Sequence, residues 1–238
     1  KVTRIVTPGT LTDAGLLDAK REAPLAALLQ DGDRAGIAWL ALASGRMTLT
    51  DVAASECAAA LERIEPAELL LPEQAQAPAW RGKAPALHTL PGWHFDRDAA
   101  SRALARQMGT LDLRGFGADA APLAIGAAGA LLAYASATQQ SALAHVRALA
   151  VESASDFVAL DAATRRNLEL TQTLAGEREP TLLSLFDTCA SAAGSRLLRQ
   201  WLTHPLRDRE RASARHDAID VLRARSGLVS SLAAALAH

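Results

Sequence analysis

The chain has 238 residues, half of them hydrophobic, enough apolar side chain for one large core or two modest ones. Its 25 Lys and Arg stand against 26 Asp and Glu, and a net charge of −1 excludes a dedicated basic nucleic-acid module while leaving room for a local basic patch. Two cysteines far apart, Cys57 and Cys189, argue against a disulfide framework and suit a reducing cytoplasm.

In chain order, Val2–Val6 alternates weakly and reads as a strand. Thr7-Pro8-Gly9-Thr10 predicts a type II turn, with Pro8 presetting φ and Gly9 supplying the positive φ that follows. Leu11–Pro24 is polar and mixed and reads as a linker. Leu25–Gln30, Ala35–Ala43 and Arg46–Thr50 are short apolar runs separated by Asp31-Gly32-Asp33 and Ser44-Gly45, the pattern of an antiparallel meander. Val52–Ile64 reads as a helix with Asp51 as its cap. Glu68–Leu71, bounded by Pro66 and Pro72, reads as a buried strand, and Leu87–Leu90 as another. Glu73–Pro85, rich in Ala, Pro and Gln, reads as an exposed loop. Asp96–Met108 is helical, with Ala100, Ala103, Leu104 and Met108 inward and Asp98, Arg102 and Arg106 outward. Pro122–Ala137 is an Ala-rich helix that can pack closely. The apolar run around it, Ala120–Ala135, is too short and too broken by Pro and Gly to span a bilayer. Strands, a helix, a strand and further helices imply a mixed sheet with helices on its faces.

From Leu160 the character changes to helix. Asp161 is a good N-cap, and Ala163, Asn167, Leu170 and Leu174 recur at spacings that share one helical face. Asn167 then either sits exposed at the helix edge or binds a neighbouring backbone. Thr181–Thr188, Ser191–Thr203, Asp208–Ala224 and Leu228–Ala237 follow as helices, punctuated by Pro180, Pro205 and Gly227.

Little here is catalytic. No Gly-x-x-x-x-Gly-Lys-Ser/Thr run occurs, and Gly115-Phe116-Gly117 does not complete a dinucleotide fingerprint. His88, His94, His145, His204, His216 and His238 lack metal-ligand spacing. The first strand carries no acid, and Asp31 and Asp33 are ordinary turn residues, against a two-metal nuclease. Arg196, Arg199, Arg207, Arg209, Arg211 and Arg215 interleave with Asp208, Glu210, Asp217 and Asp220, which reads as a solvated, ion-paired face, with phosphate contact the alternative.

Three ordered blocks carry a resemblance. Asp161-Ala-Ala-Thr-Arg-Arg-Asn-Leu-Glu169 resembles the opening of the core, or lever, domain of the bacterial MutS family of DNA mismatch-repair proteins. Gly194-Ser-Arg-Leu-Leu-Arg-Gln-Trp-Leu202, with Pro205-Leu-Arg-Asp208, resembles a following helix of that domain. Arg4-Ile-Val-Thr-Pro-Gly-Thr10 resembles the end of the family's mismatch-reading domain. Glu177, where the family often has a second Gly, and Ala193, where it has a bulkier residue, depart from the pattern.

The resemblance implies an α/β plus all-α chain that is a piece of a longer protein. Residues 1–18 would end the mismatch-recognition domain, 19–157 would form a ribonuclease-H-like connector domain, and 158–238 would begin the helical core domain. It implies no catalytic, cofactor or metal site in these residues. ATP and Mg, mismatched double-stranded DNA and MutS self-association would belong to the parent protein, a cytoplasmic ATPase. It places part of the surface for a MutL-family partner on the helix pair 96–108 and 122–137, with Arg102, Arg106 and Ala137 as candidates, and an interdomain junction at Asp161, Arg165, Arg166 and Asn167. Arg165 and Arg166 then pair with nearby acids rather than bind DNA. A ribonuclease-H-like nuclease and a helical scaffold outside repair are the alternatives.

Overall fold

The computed structural model describes residues 7–10, 22–76, 78, 85–139, 143–158 and 160–236. The strand expected at Val2–Val6 and nearly all of the Leu11–Pro24 linker lie outside these. The chain divides into two compact units, with the change between Ser153 and Ala154.

The first unit is built on one mixed sheet. Strands β1 (Leu25–Asp31), β2 (Arg34–Ala41) and β3 (Arg46–Ala53) form the antiparallel meander; β4 (Glu68–Pro72) lies parallel to β1 and β5 (Ala86–Leu90) parallel to β4. A sixth strand, β6 (Ala148–Val151), lies parallel to β3, so the order is β5-β4-β1-β2-β3-β6. Alanine is a poor strand former, yet β1 and β2 read Leu-Ala-Ala-Leu-Leu and Ala-Gly-Ile-Ala-Trp-Leu-Ala. Burial on both faces decides it, because small side chains let helices approach the sheet closely. Leu25, Ala27, Ala38, Leu40, Met47 and Leu49 face helices α2 (Arg97–Met108) and α3 (Pro122–Gln139), while Ala26, Leu28, Ala35 and Ile37 face the short helix α1 (Cys57–Ile64).

Two local expectations change. Val52 and Ala53 close β3 and helix α1 begins only at Cys57, because Val52 is buried beside Ala35 in the sheet. Asp51 therefore caps no helix of its own. Its carboxylate instead accepts from Leu123 N at 3.1 Å and Ala124 N at 2.8 Å, at the start of α3. Gly36 sits directly across from Asp51 on β2, and a Cβ there would lie 2.2 Å from Ala124 N. The start of α3 is thus seated on the sheet by one acid and one missing side chain. Farther along, α3 passes Ala100 of α2 at Gly129 with the same lack of clearance. Apolar on nearly all sides, α3 is the buried helix of the unit.

The second unit is helical: α4 (Ala162–Asn167), α5 (Leu182–Phe186), α6 (Ala192–Thr203), α7 (Arg209–Arg223) and α8 (Ser226–Leu236). Thr181, Ser191 and Asp208 cap their helices with side-chain oxygens, as their positions in the sequence imply. Gly227 does not punctuate; it lies inside the first turn of α8. The face proposed through Leu174 ends early. Helix α4 stops at Asn167, Glu169 adopts φ 45°, and Leu170 is buried while Leu174 is exposed. Beyond α4 the loop is held by Leu174 N donating to the Glu169 carboxylate and Glu177 N donating to Thr173 Oγ1.

Candidate functional site

Helix α2 is placed by its ends. Asp96 accepts from Ala99 N at 2.8 Å, and Gly109 closes the last turn in the left-handed conformation. Between them Ala100 and Leu104 are buried and Ala103 and Met108 half-buried, so the predicted inner stripe is real. Arg102 and Arg106 are exposed, one turn apart, and neither forms an ion pair with an acid among the described residues. Ala137 is also exposed, near the end of α3.

At the start of the second unit, Asp161 caps α4 through Thr164 N at 2.6 Å, and that N–H holds its carboxyl below the usual range. Arg165 donates from Nε to Leu160 O at 3.2 Å. Arg166 and Asn167 are exposed, so Asn167 takes the helix-edge role. On the later helices Arg215 stacks over Trp201 at 4.3 Å, and Arg223 pairs with Asp220 at 3.7 Å. Arg207, Arg209 and Arg211 are exposed and form no ion pair among the described residues, so this stretch is solvated, with Arg223–Asp220 a helix-spaced pair farther along α7.

One fully buried acid among the described residues escapes any reading of the sequence. Glu68, first residue of β4, is fully buried. Its carboxylate accepts from the Thr7 hydroxyl at 2.6 Å, Gly9 N at 2.9 Å and the Tyr134 hydroxyl at 2.5 Å, and lies 3.2 Å from His88 Nε2. These groups come from positions 7, 9, 88 and 134, so no local motif announces them. The turn Thr7–Thr10 is closed by Thr10 N donating to Thr7 O at 3.0 Å. Gly9 lacks the positive φ of a type II turn. It is glycine for closeness: a Cβ would lie 2.9 Å from Glu68 Cβ and 3.1 Å from Leu25 Cβ.

Tyr134 is the single tyrosine of the chain, and burial, then the Glu68 carboxylate, push its phenol up from 10.0 to about 12. A raised folded value means that Tyr134 contributes its full stability below pH 10.0 and loses it as pH climbs through about 12. A near-ultraviolet titration therefore reads this one phenol. Its midpoint should fall in Glu68→Gln, and an unchanged midpoint would contradict the Glu68 contact. Burial likewise lifts the Cys57 thiol to about 11, which keeps it inert.

No three His, Cys, Asp or Glu among the described residues converge to hold a metal, and no helix among them is long and apolar enough to cross a membrane. The family model described as MutS domain II matches residues 24–147, and the one described as MutS domain III matches residues 163–238. The first match spans Glu68 and the Arg102–Arg106 ridge; the second begins inside α4. Two such matches in chain order, the first alone covering more than half of the residues, place this chain in the MutS family of DNA mismatch-repair proteins.

Proposed function

We propose that this chain joins a mismatch reader to lever helices and offers a docking surface to a MutL-type protein. The first unit is read as the connector domain, with a ribonuclease-H-like fold. What supports that fold is the strand arrangement, an antiparallel β1–β2–β3 followed by β4 and β5 parallel to β1. The helical second unit is read as the beginning of the lever. DNA binding and dimerisation come with the family; ATP and Mg are assigned to the parent protein, in a reducing cytoplasm. The residues present do not fit those ligands, having neither a phosphate loop nor, among the described residues, carboxylates converging on a cation. A nuclease reading lacks the same carboxylates.

The observation that carries the docking surface is the bare ridge of α2, where Arg102 and Arg106 stand outside a buried Ala100 and Leu104. Two guanidiniums one turn apart can give forked, charge-assisted bonds to partner carboxylates. Arg102→Glu with Arg106→Glu should weaken binding of a MutL-family protein at least tenfold, about 1.4 kcal/mol. Stability should change by no more than about 0.5 kcal/mol, since both side chains are exposed. An unchanged dissociation constant at low salt would remove these residues from the interface.

A further inference from the structure

A carboxylate withdrawn from water is tolerated only where the fold surrounds it with donors. Glu68 meets that condition with contributions from parts of the chain far apart in sequence. Oε2 faces the Thr7–Thr10 turn and takes both the Thr7 hydroxyl and the Gly9 amide. Oε1 faces α3 and β5, and takes the Tyr134 hydroxyl beside His88 Nε2. One carboxyl group therefore spans from the turn to the body of the sheet.

Three further contacts act in the same direction. Gln139, the last residue of α3, donates from Nε2 to Thr10 O at 2.9 Å. Thr7 N donates to Thr10 Oγ1 at 2.9 Å, which makes the turn rigid within itself. Thr10 is fully buried, and the turn lies so near β1 and β4 that Gly9 has no room for a side chain. Pro8, at the tip, is exposed and has a preset φ, so the turn has little freedom to flex about its anchors.

We propose that Glu68 is a clamp that makes the Thr7–Thr10 turn one rigid body with β4 and α3. Chain N-terminal to Thr7 is then coupled to the sheet at a fixed point. A pull on that chain reaches β4 through two bonds to one carboxylate. The Tyr134 hydroxyl donates to the other oxygen with His88 Nε2 beside it, so the clamp is braced against α3 and lies against β5 rather than resting on β4 alone.

The test is native-state hydrogen exchange on the whole chain. Glu68→Gln keeps the size of the side chain but removes its charge and one of its acceptor oxygens. The Gly9 and Thr10 amides should then exchange about tenfold faster, while those of Leu28 and Ile37 in the meander keep their rates. Unchanged Gly9 exchange, or acceleration of Gly9 and Ile37 by the same factor, would overturn the proposal, the second because it reports global loosening only. Should Glu68→Gln fail to fold, Thr7→Val carries the test. It deletes one donor at a half-buried position and should speed Gly9 exchange about threefold. No change at Gly9 in that variant would also overturn the clamp.

Discussion

Gly36→Ala should destabilise the first unit by about 3 kcal/mol or more, the upper range for forcing atoms into a packed interior. The new methyl would meet the backbone of α3, 2.2 Å from both Ala124 N and Leu123 C, and backbone cannot rotate aside as a side chain can. Relief requires the start of α3 to lift, which breaks the Asp51 bonds as well. In thermal unfolding the loss is about 6–12 °C for a chain of this size. Gly115→Ala is the control, because its Cβ meets nothing within 4 Å and its backbone is ordinary. Equal melting temperatures for the two variants would show that α3 is not seated at Gly36.

Asp51→Ala should cost about 2 kcal/mol, at the high end for a helix cap. Two N–H groups at the positive end of an 18-residue helix lose their acceptor, and water reaches the half-buried site poorly. Asp51→Asn should recover about half of the loss, since an amide oxygen still accepts but carries no charge. Denaturant unfolding of the first unit measures both. Because Gly36 and Asp51 hold the same turn of α3, the double variant should lose less than the two losses added. Strict additivity would mean that the two contacts act independently.

Those two residues also mark where reading from sequence fails. Helix α2 was legible because every signal is local: Asp96 before the first turn, the inner stripe, and Gly109 after the last. Asp161 was legible for the same reason, the N–H that donates to it lying three residues ahead. Asp51 has the same chemistry and was assigned to the next helix in sequence, whereas its N–H groups lie 72 and 73 residues away. Cap chemistry names a helix start without saying which. Glu68 sits in a run that reads as a buried strand, and that much was correct. Nothing in the run says that the first residue is buried charged-side inward, because its partners are supplied by the turn, β5 and α3. Strand β6 was missed because Ala-Leu-Ala-Val is too short to show alternation; its place is set by the open edge of β3. At α4, apolar spacing past Asn167 suggested a longer helix, and the left-handed Glu169 ended it, a backbone choice that side-chain periodicity does not record.

The pairing of β6 with β3 sets a timetable. Arg46 of β3 meets Ala148 of β6, and Leu49 meets Val151, so the last ladder of the sheet joins segments roughly 100 residues apart, where loop closure is slow. On the ribosome β1, β2 and β3 are all complete long before β6 emerges. At about 5–20 residues per second, β3 waits about 5–20 s with one line of N–H and C=O groups uncovered. Its sequence, Arg-Met-Thr-Leu-Thr-Asp-Val-Ala, carries one charge at its start, Arg46, and one near its far end, Asp51. Charges so placed discourage a second nascent chain from adding itself to that edge, and they guard the newborn sheet until its own last strand arrives.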